Sequence, residues 1–131
     1  MTQRDTSRSR ILVVDDEPDV VDMLREYLSH AGFSVDTALN GMEALRLIQH
    51  ARPDAILLDI NMPGMPGMEV LQHIRARDST IPVIMVTSVT DLGLAQATLK
   101  AGAFDFVMKP IDFAYLDRVI DTALHTRDAP E

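Results

Sequence analysis

Short apolar runs separated by stripes of helical period set the pattern of this chain. Three runs carry no polar break: Ile11-Leu12-Val13-Val14, Ala55-Ile56-Leu57-Leu58 and Val83-Ile84-Met85-Val86. Such runs predict strands covered on both faces, as in a parallel sheet between helical layers. Phe33-Ser34-Val35-Asp36-Thr37-Ala38 alternates, which predicts a strand nearer an edge, and Phe104-Asp105-Phe106-Val107-Met108 predicts a fifth strand. Helical stripes lie between them. The first holds Val20 or Val21, Leu24, Leu28 and Ala31, and the second Ala44, Leu45 and Ile48. Val70, Leu71 and Ile74 mark a third helix, and Leu92, Ala95 and Leu99 a weaker fourth. Phe113, Leu116, Val119 or Ile120, and Ala123 stripe a last helix that dissolves from His125 onward.

The punctuation agrees with the stripes. Pro18 suits the first position of a helix whose start is marked by Asp15, Asp16 and Glu17. Gly32 reads as the residue just past that helix, Asn40-Gly41 as a cap for the next, and Gly102 as the stop of the fourth. Strands alternating with helices over short loops imply right-handed crossovers and a doubly wound parallel sheet, class α/β. Residues 1–9 read as a flexible tail, 10–126 as one domain, and 127–131 as a tail or the start of a linker.

Composition narrows the partners. The 131 residues include no cysteine, which excludes disulfides, thiol catalysis and Cys-ligated zinc and suits a reducing, cytoplasmic setting. No apolar run approaches the roughly 20 residues of a membrane helix. A net charge of −8 argues against nucleic acid and acidic partners, and favours basic partners or a divalent cation.

Four strands end in polar residues of different kinds: Asp15-Asp16, Asp59, Thr87-Ser88 and Lys109-Pro110. In an open parallel sheet these ends share one edge, where ligands bind. Taken singly, each has a plainer explanation. Acids before a helix complement its dipole, as Glu17 and Asp19 are expected to do; Thr87 suits a strand end, and Lys109 a solvated turn. Jointly they make a kit. Carboxylates a few Å apart repel by about 4 kcal/mol per pair at an effective dielectric near 20. A hard cation such as Mg²⁺, or Mn²⁺, relieves that repulsion through oxygen ligands. With a lysine ammonium and a threonine hydroxyl beside it, Asp59 is equipped to accept a phosphoryl group.

The motifs Ile11-Leu12-Val13-Val14-Asp15-Asp16-Glu17, Leu57-Leu58-Asp59-Ile60-Asn61-Met62-Pro63-Gly64, Val86-Thr87-Ser88, Gly102-Ala103-Phe104-Asp105-Phe106 and Val107-Met108-Lys109-Pro110 together resemble the receiver domain of two-component response regulators. The resemblance runs from Arg10 to about Thr126. It implies a flavodoxin-like five-stranded sheet of order 2-1-3-4-5 and Asp59 as acceptor from a sensor histidine kinase or a histidine phosphotransfer protein. It implies Mg²⁺ on Asp16, Asp59 and the backbone carbonyl of Asn61, with Asp15 acting through water. It further implies Lys109 as partner of the phosphoryl group, a cis bond before Pro110, and a regulatory rather than enzymatic role. Thr87 and Phe106 would form the switch, read out on the surface of the fourth helix, fifth strand and fifth helix by a partner protein or an attached output domain. Either a monomer or a phosphorylation-dependent dimer fits.

Some positions depart from the family pattern. Pro66 stands where many relatives carry Asp, so the third helix is expected to lack a side-chain cap. Val89 is apolar beside the route of hydrolytic water, Phe106 replaces a common Tyr, and Met62, Met65 and Met68 form a soft patch near the loop. Two other functions compete. An Asp-nucleophile phosphatase would want a carboxylate at position 61, where Asn61 stands; a pseudo-receiver used only for docking would not need the full Asp, Thr and Lys set.

Overall fold

Strands Arg10–Val14 (β1), Ser34–Ala38 (β2), Ala55–Asp59 (β3), Val83–Thr87 (β4) and Asp105–Met108 (β5) alternate with helices in the computed structural model, which describes residues 9–128. The helices are Pro18–His30 (α1), Gly41–His50 (α2), Gly67–Arg77 (α3), Leu92–Lys100 (α4) and Phe113–Asp128 (α5), with a 3-10 turn at Val89–Asp91. Every strand pairing is parallel, and the order β2-β1-β3-β4-β5 is the one the resemblance implied. Most of the tail expected at 1–9, and residues 129–131, fall outside the described residues.

Strand periodicity sorts the core into two layers. Ile11 and Val13 of β1, Leu57 of β3, Ile84 and Val86 of β4 and Val107 of β5 pack with Val21, Leu24 and Leu28 of α1 and Leu116, Ile120 and Ala123 of α5. The alternate positions, Leu12 and Val14, Ile56 and Leu58, Val83 and Met85, face Ala44 of α2, Val70, Leu71 and Ile74 of α3 and Ala95 of α4. The three uninterrupted runs are apolar throughout because each of their residues has a helix over it. Edge strand β2 has no such cover at Ser34, and it alternates.

The punctuation works as the residues suggest. Pro18 opens α1, and Gly32 beyond it takes φ 103°, a left-handed conformation that costs glycine little. Asn40 Oδ1 accepts from the Glu43 amide at 2.8 Å while Glu43 Oε1 accepts from the Leu39 amide at 2.9 Å, so α2 starts on a reciprocal cap. α3 begins after Pro66 with no side-chain cap. Two expectations are corrected. Leu99 is 38% exposed rather than core; the buried face of α4 is Ala95 and Thr98. Thr98 fits there because its hydroxyl donates to the Ala95 carbonyl at 2.6 Å, leaving its methyl to pack. α5 does not stop near His125 but continues through Asp128, since Thr126-Arg127-Asp128 holds neither proline nor glycine.

Candidate functional site

The carboxyl ends of β1, β3 and β5 bring the reactive groups together, and the two-residue period decides which ones meet. Asp15 continues the Ile11–Val13 face, Asp59 the Ala55–Leu57 face, and Lys109 the Val107 face, all on the α1/α5 side. Thr87 follows Val83 and Met85, on the α2–α4 side with Phe106. The geometry obeys that division. Lys109 Nζ lies 3.0 Å from Asp15 Oδ2, 3.2 Å from Glu17 Oε1 and 3.6 Å from Asp59 Oδ1. Thr87 is buried, its hydroxyl donating to the Ser88 carbonyl at 3.1 Å. Phe106 is half-buried against the α2–α4 layer.

The cleft itself holds about 360 Å³ and is lined by Asp16, Glu17, Asp59, Asn61, Ser88, Asp91 and Lys109. Asp15 sits behind it, 2% exposed, anchored by accepting the Glu17 amide at 2.9 Å. Two lining residues carry no site role in the sequence reading. Glu17, expected there to complement the helix dipole, stands at the N-cap position of α1 with no side-chain cap bond and accepts from Lys109. Asp91, beside α4, takes a hydrogen bond from Ser88 Oγ at 3.1 Å across the mouth of the cleft. Their signal was position: both are acids in connections leaving the carboxyl edge of the sheet.

Backbone approach is closest under Asp59. A Cβ at Gly67 would stand 2.3 Å from the Asp59 carbonyl oxygen and 2.8 Å from the Ile60 Cα, so only glycine lets α3 start against the end of β3. The Gly67 amide donates to the Ile60 carbonyl at 2.8 Å. The Lys109–Pro110 peptide is cis.

Electrostatics follow from burial. Desolvation pushes the Asp59 carboxyl up to about 7, and the nearby Asp15 and Asp16 carboxylates add to it, while Lys109 and the Asn61 backbone hold it back. Burial alone would lower Lys109, but its hydrogen bond to Asp15 and the charge of Asp59 hold it above the ordinary lysine value. Oxygens from Asp15, Asp16 and Asp59 all lie within 4.8 Å of one another. An all-oxygen donor set this compact, with one member already driven toward protonation, fits a hard divalent cation.

A doubly wound sheet of order 2-1-3-4-5, with an acidic cleft and a lysine at its switch-point edge, defines the receiver class of flavodoxin-like α/β domains. The sequence profile of the response regulator receiver domain matches residues 11–121, and the chain belongs to that family. It is 42% identical over 123 residues to the transcriptional regulatory protein PrrA of Mycobacterium leprae, covering 94% of this chain and 53% of PrrA. It is 40% identical over 119 residues to the regulatory protein AtoC of Escherichia coli, covering 91% of this chain and 26% of AtoC. The chain thus spans about half of the one and a quarter of the other. Among solved structures, a response regulator receiver domain protein from Clostridium thermocellum superposes with TM-score 0.87 at 30% identity, covering 91% of this chain and 96% of that one. The receiver domain of NtrX from Brucella abortus gives 0.86 at 34% identity, covering 88% and 98%. Among the described residues, no helix is long and apolar enough to cross a membrane.

Proposed function

We propose that this domain is a phosphorylation-activated signalling switch with Asp59 as the phosphoacceptor. The observation that carries the reading is the convergence of Asp15, Asp16 and Asp59 with the Lys109 ammonium in one cleft. An Asp59 carboxylate oxygen attacks the phosphorus of a phosphohistidine on a sensor kinase or phosphotransfer protein. The new O–P bond forms as the N–P bond breaks, and the imidazole leaves with the electron pair. Asp16, Asp59 and the Asn61 backbone carbonyl would hold Mg²⁺, with Asp15 behind them. When bound, Mg²⁺ neutralises charge on the acids and on the phosphoryl oxygens.

Lys109 is already within reach of Asp59 and turns its ammonium to a phosphoryl oxygen once that charge appears. Thr87 re-aims its hydroxyl from the Ser88 carbonyl toward a second oxygen. That motion opens space beside β4 on the layer where Phe106 packs, and Phe106 moves inward. The switch shifts a pre-existing equilibrium by the difference in binding energy of its two states. Leu94, Met108 and Tyr115, exposed by 50%, 41% and 40%, give the surface of α4, β5 and α5 an apolar character that suits readout by a protein or an attached output domain. PrrA is named a transcriptional regulator; in this reading DNA contact would belong to such an output, because the domain itself carries −8.

Asn61 supplies no general acid, which disfavours the phosphatase reading. The test is intact-mass measurement after incubation with acetyl phosphate and Mg²⁺. One added phosphoryl group, missing in Asp59→Ala and without Mg²⁺, supports the switch; no adduct, or one that survives in Asp59→Ala, refutes it.

A further inference from the structure

At the opposite edge of the sheet, a cleft of about 220 Å³ opens between the carboxyl ends of α2 and α3, walled by Leu45, Ile48, Ile74 and Ile81. Arg52, His73 and Arg77 stand around it, and His73 lies 3.8 Å from Glu69 on its own helix. Its charge differs from that of the whole chain, where 20 acids face 12 lysines and arginines. The acid beside it, Asp78, is already committed. It accepts from Arg52 Nε at 2.8 Å, from the Thr80 amide at 2.8 Å and from the Thr80 hydroxyl at 2.6 Å. Those contacts hold its carboxyl well below the usual range. The Arg77 guanidinium has no ion-pair partner among the described residues.

The α3 wall of the cleft is also preformed. The Arg75 guanidinium donates to three carbonyls, Gly102 at 2.9 Å, Asp78 at 3.1 Å and Ile81 at 2.7 Å. It thereby ties the end of α3, the lead into β4 and the turn after α4 into one frame. A site that needs no ordering loses less on binding. Small-molecule sites typically exceed about 300 Å³. This one is the size for one or two large side chains offered by a partner.

We propose that the α2–α3 cleft docks an acidic amphipathic helix of a partner protein, which seats apolar anchors one turn apart on Leu45 and Ile48 and sets a carboxylate against Arg77. Charge complementarity selects this occupant: an acidic segment is repelled by most of the surface and admitted here. The expectation from net charge, that acidic partners are disfavoured, is locally reversed. The cleft lies at the edge away from Asp59, so the proposal is independent of the phosphoacceptor reading.

The test is an amide NMR titration of the unphosphorylated, Mg²⁺-free protein with a synthetic helix carrying leucines at i and i+4 among glutamates. A control peptide replaces each glutamate by lysine, and octanoate serves as a small anionic amphiphile. Expected are saturable shifts centred on residues 45–52 and 73–81, about five- to tenfold weaker in Arg77→Glu and absent with the lysine peptide. Gln49→Glu, on the opposite wall, weakens binding in the same direction and guards against a folding defect in the first variant. No binding, equal binding of the lysine peptide, shifts centred elsewhere, or octanoate competing for the same residues with equal affinity would each overturn the proposal; the last assigns the cleft to a small amphiphile.

Discussion

Lys109 Nζ sits 3.0 Å from Asp15 Oδ2 but 3.6 Å from Asp59 Oδ1, so in the unphosphorylated domain the ammonium belongs more to the first strand than to the third. Glu17 Oε1, at 3.2 Å, holds it from the solvent side. Glu17→Gln loosens that hold. Because the pair is exposed on the Glu17 side, stability should change by less than about 1 kcal/mol. Uptake of beryllofluoride, a phosphoryl mimic, should strengthen by about two- to fivefold, which corresponds to removing less than about 1 kcal/mol of competition for the lysine. NMR titration of both forms with beryllofluoride and Mg²⁺ measures it; unchanged affinity would mean that Glu17 does not compete.

Asp59 titrates near 7 in the folded domain, against about 3.8 unfolded. The folded state therefore binds more protons between these values, and stability falls as pH rises through that window. Below about pH 4 both states are protonated and the cost disappears. In EDTA at about pH 8, Asp59→Asn should be more stable than the parent by about 1–3 kcal/mol, and the gap should close toward about pH 4. Urea denaturation across pH reads this directly. A gap that widens on acidification would reverse the sign and remove the electrostatic account of the cleft.

Gly67→Ala places a methyl against the Asp59 carbonyl oxygen, 2.3 Å away. Backbone must shift at that contact, at a cost of about 1–3 kcal/mol. The same shift moves the phosphoacceptor, so phosphoryl uptake should fall more than tenfold in protein that remains folded. Circular dichroism melting alongside the mass assay separates the two effects.

Arg75→Met keeps the aliphatic stem but leaves three carbonyls, on Gly102, Asp78 and Ile81, without their donor. Loss of these charge-assisted bonds should cost about 1.5–3 kcal/mol. Arg75→Lys should recover only part of it, since one ammonium cannot span three acceptors held by a planar fork. Chemical denaturation of both variants ranks them.

Much of the fold is legible because each buried position has one partner layer. The unbroken runs of β1, β3 and β4 announce cover on both faces, and Ser34 and Asp36 announce an edge. Helix starts at Pro18 and Asn40 are written in residues that do a single local job. Leu99 was misread for a physical reason: the period of a short helix tolerates a one-residue rotation, and a threonine that bonds its own backbone can take the inner position. The acids and the lysine of the site were visible because their strand ends share an edge. Glu17 and Asp91 were hidden because connections, unlike strands, carry no period to say which way a side chain turns. The α2–α3 cleft was equally invisible, since Arg52, His73 and Arg77 belong to one place only after the chain has folded.

The separation of Asp59 and Thr87 onto opposite faces of the sheet has a further consequence. A phosphoryl group on Asp59 would therefore meet the Thr87 hydroxyl only at the carboxyl edge of the sheet, where β3 and β4 end. From that edge the proposed signal runs to Phe106, which shares the α2–α4 layer with Thr87. The domain is thus wired at the lip of its sheet, the one place where the acid and the hydroxyl can meet.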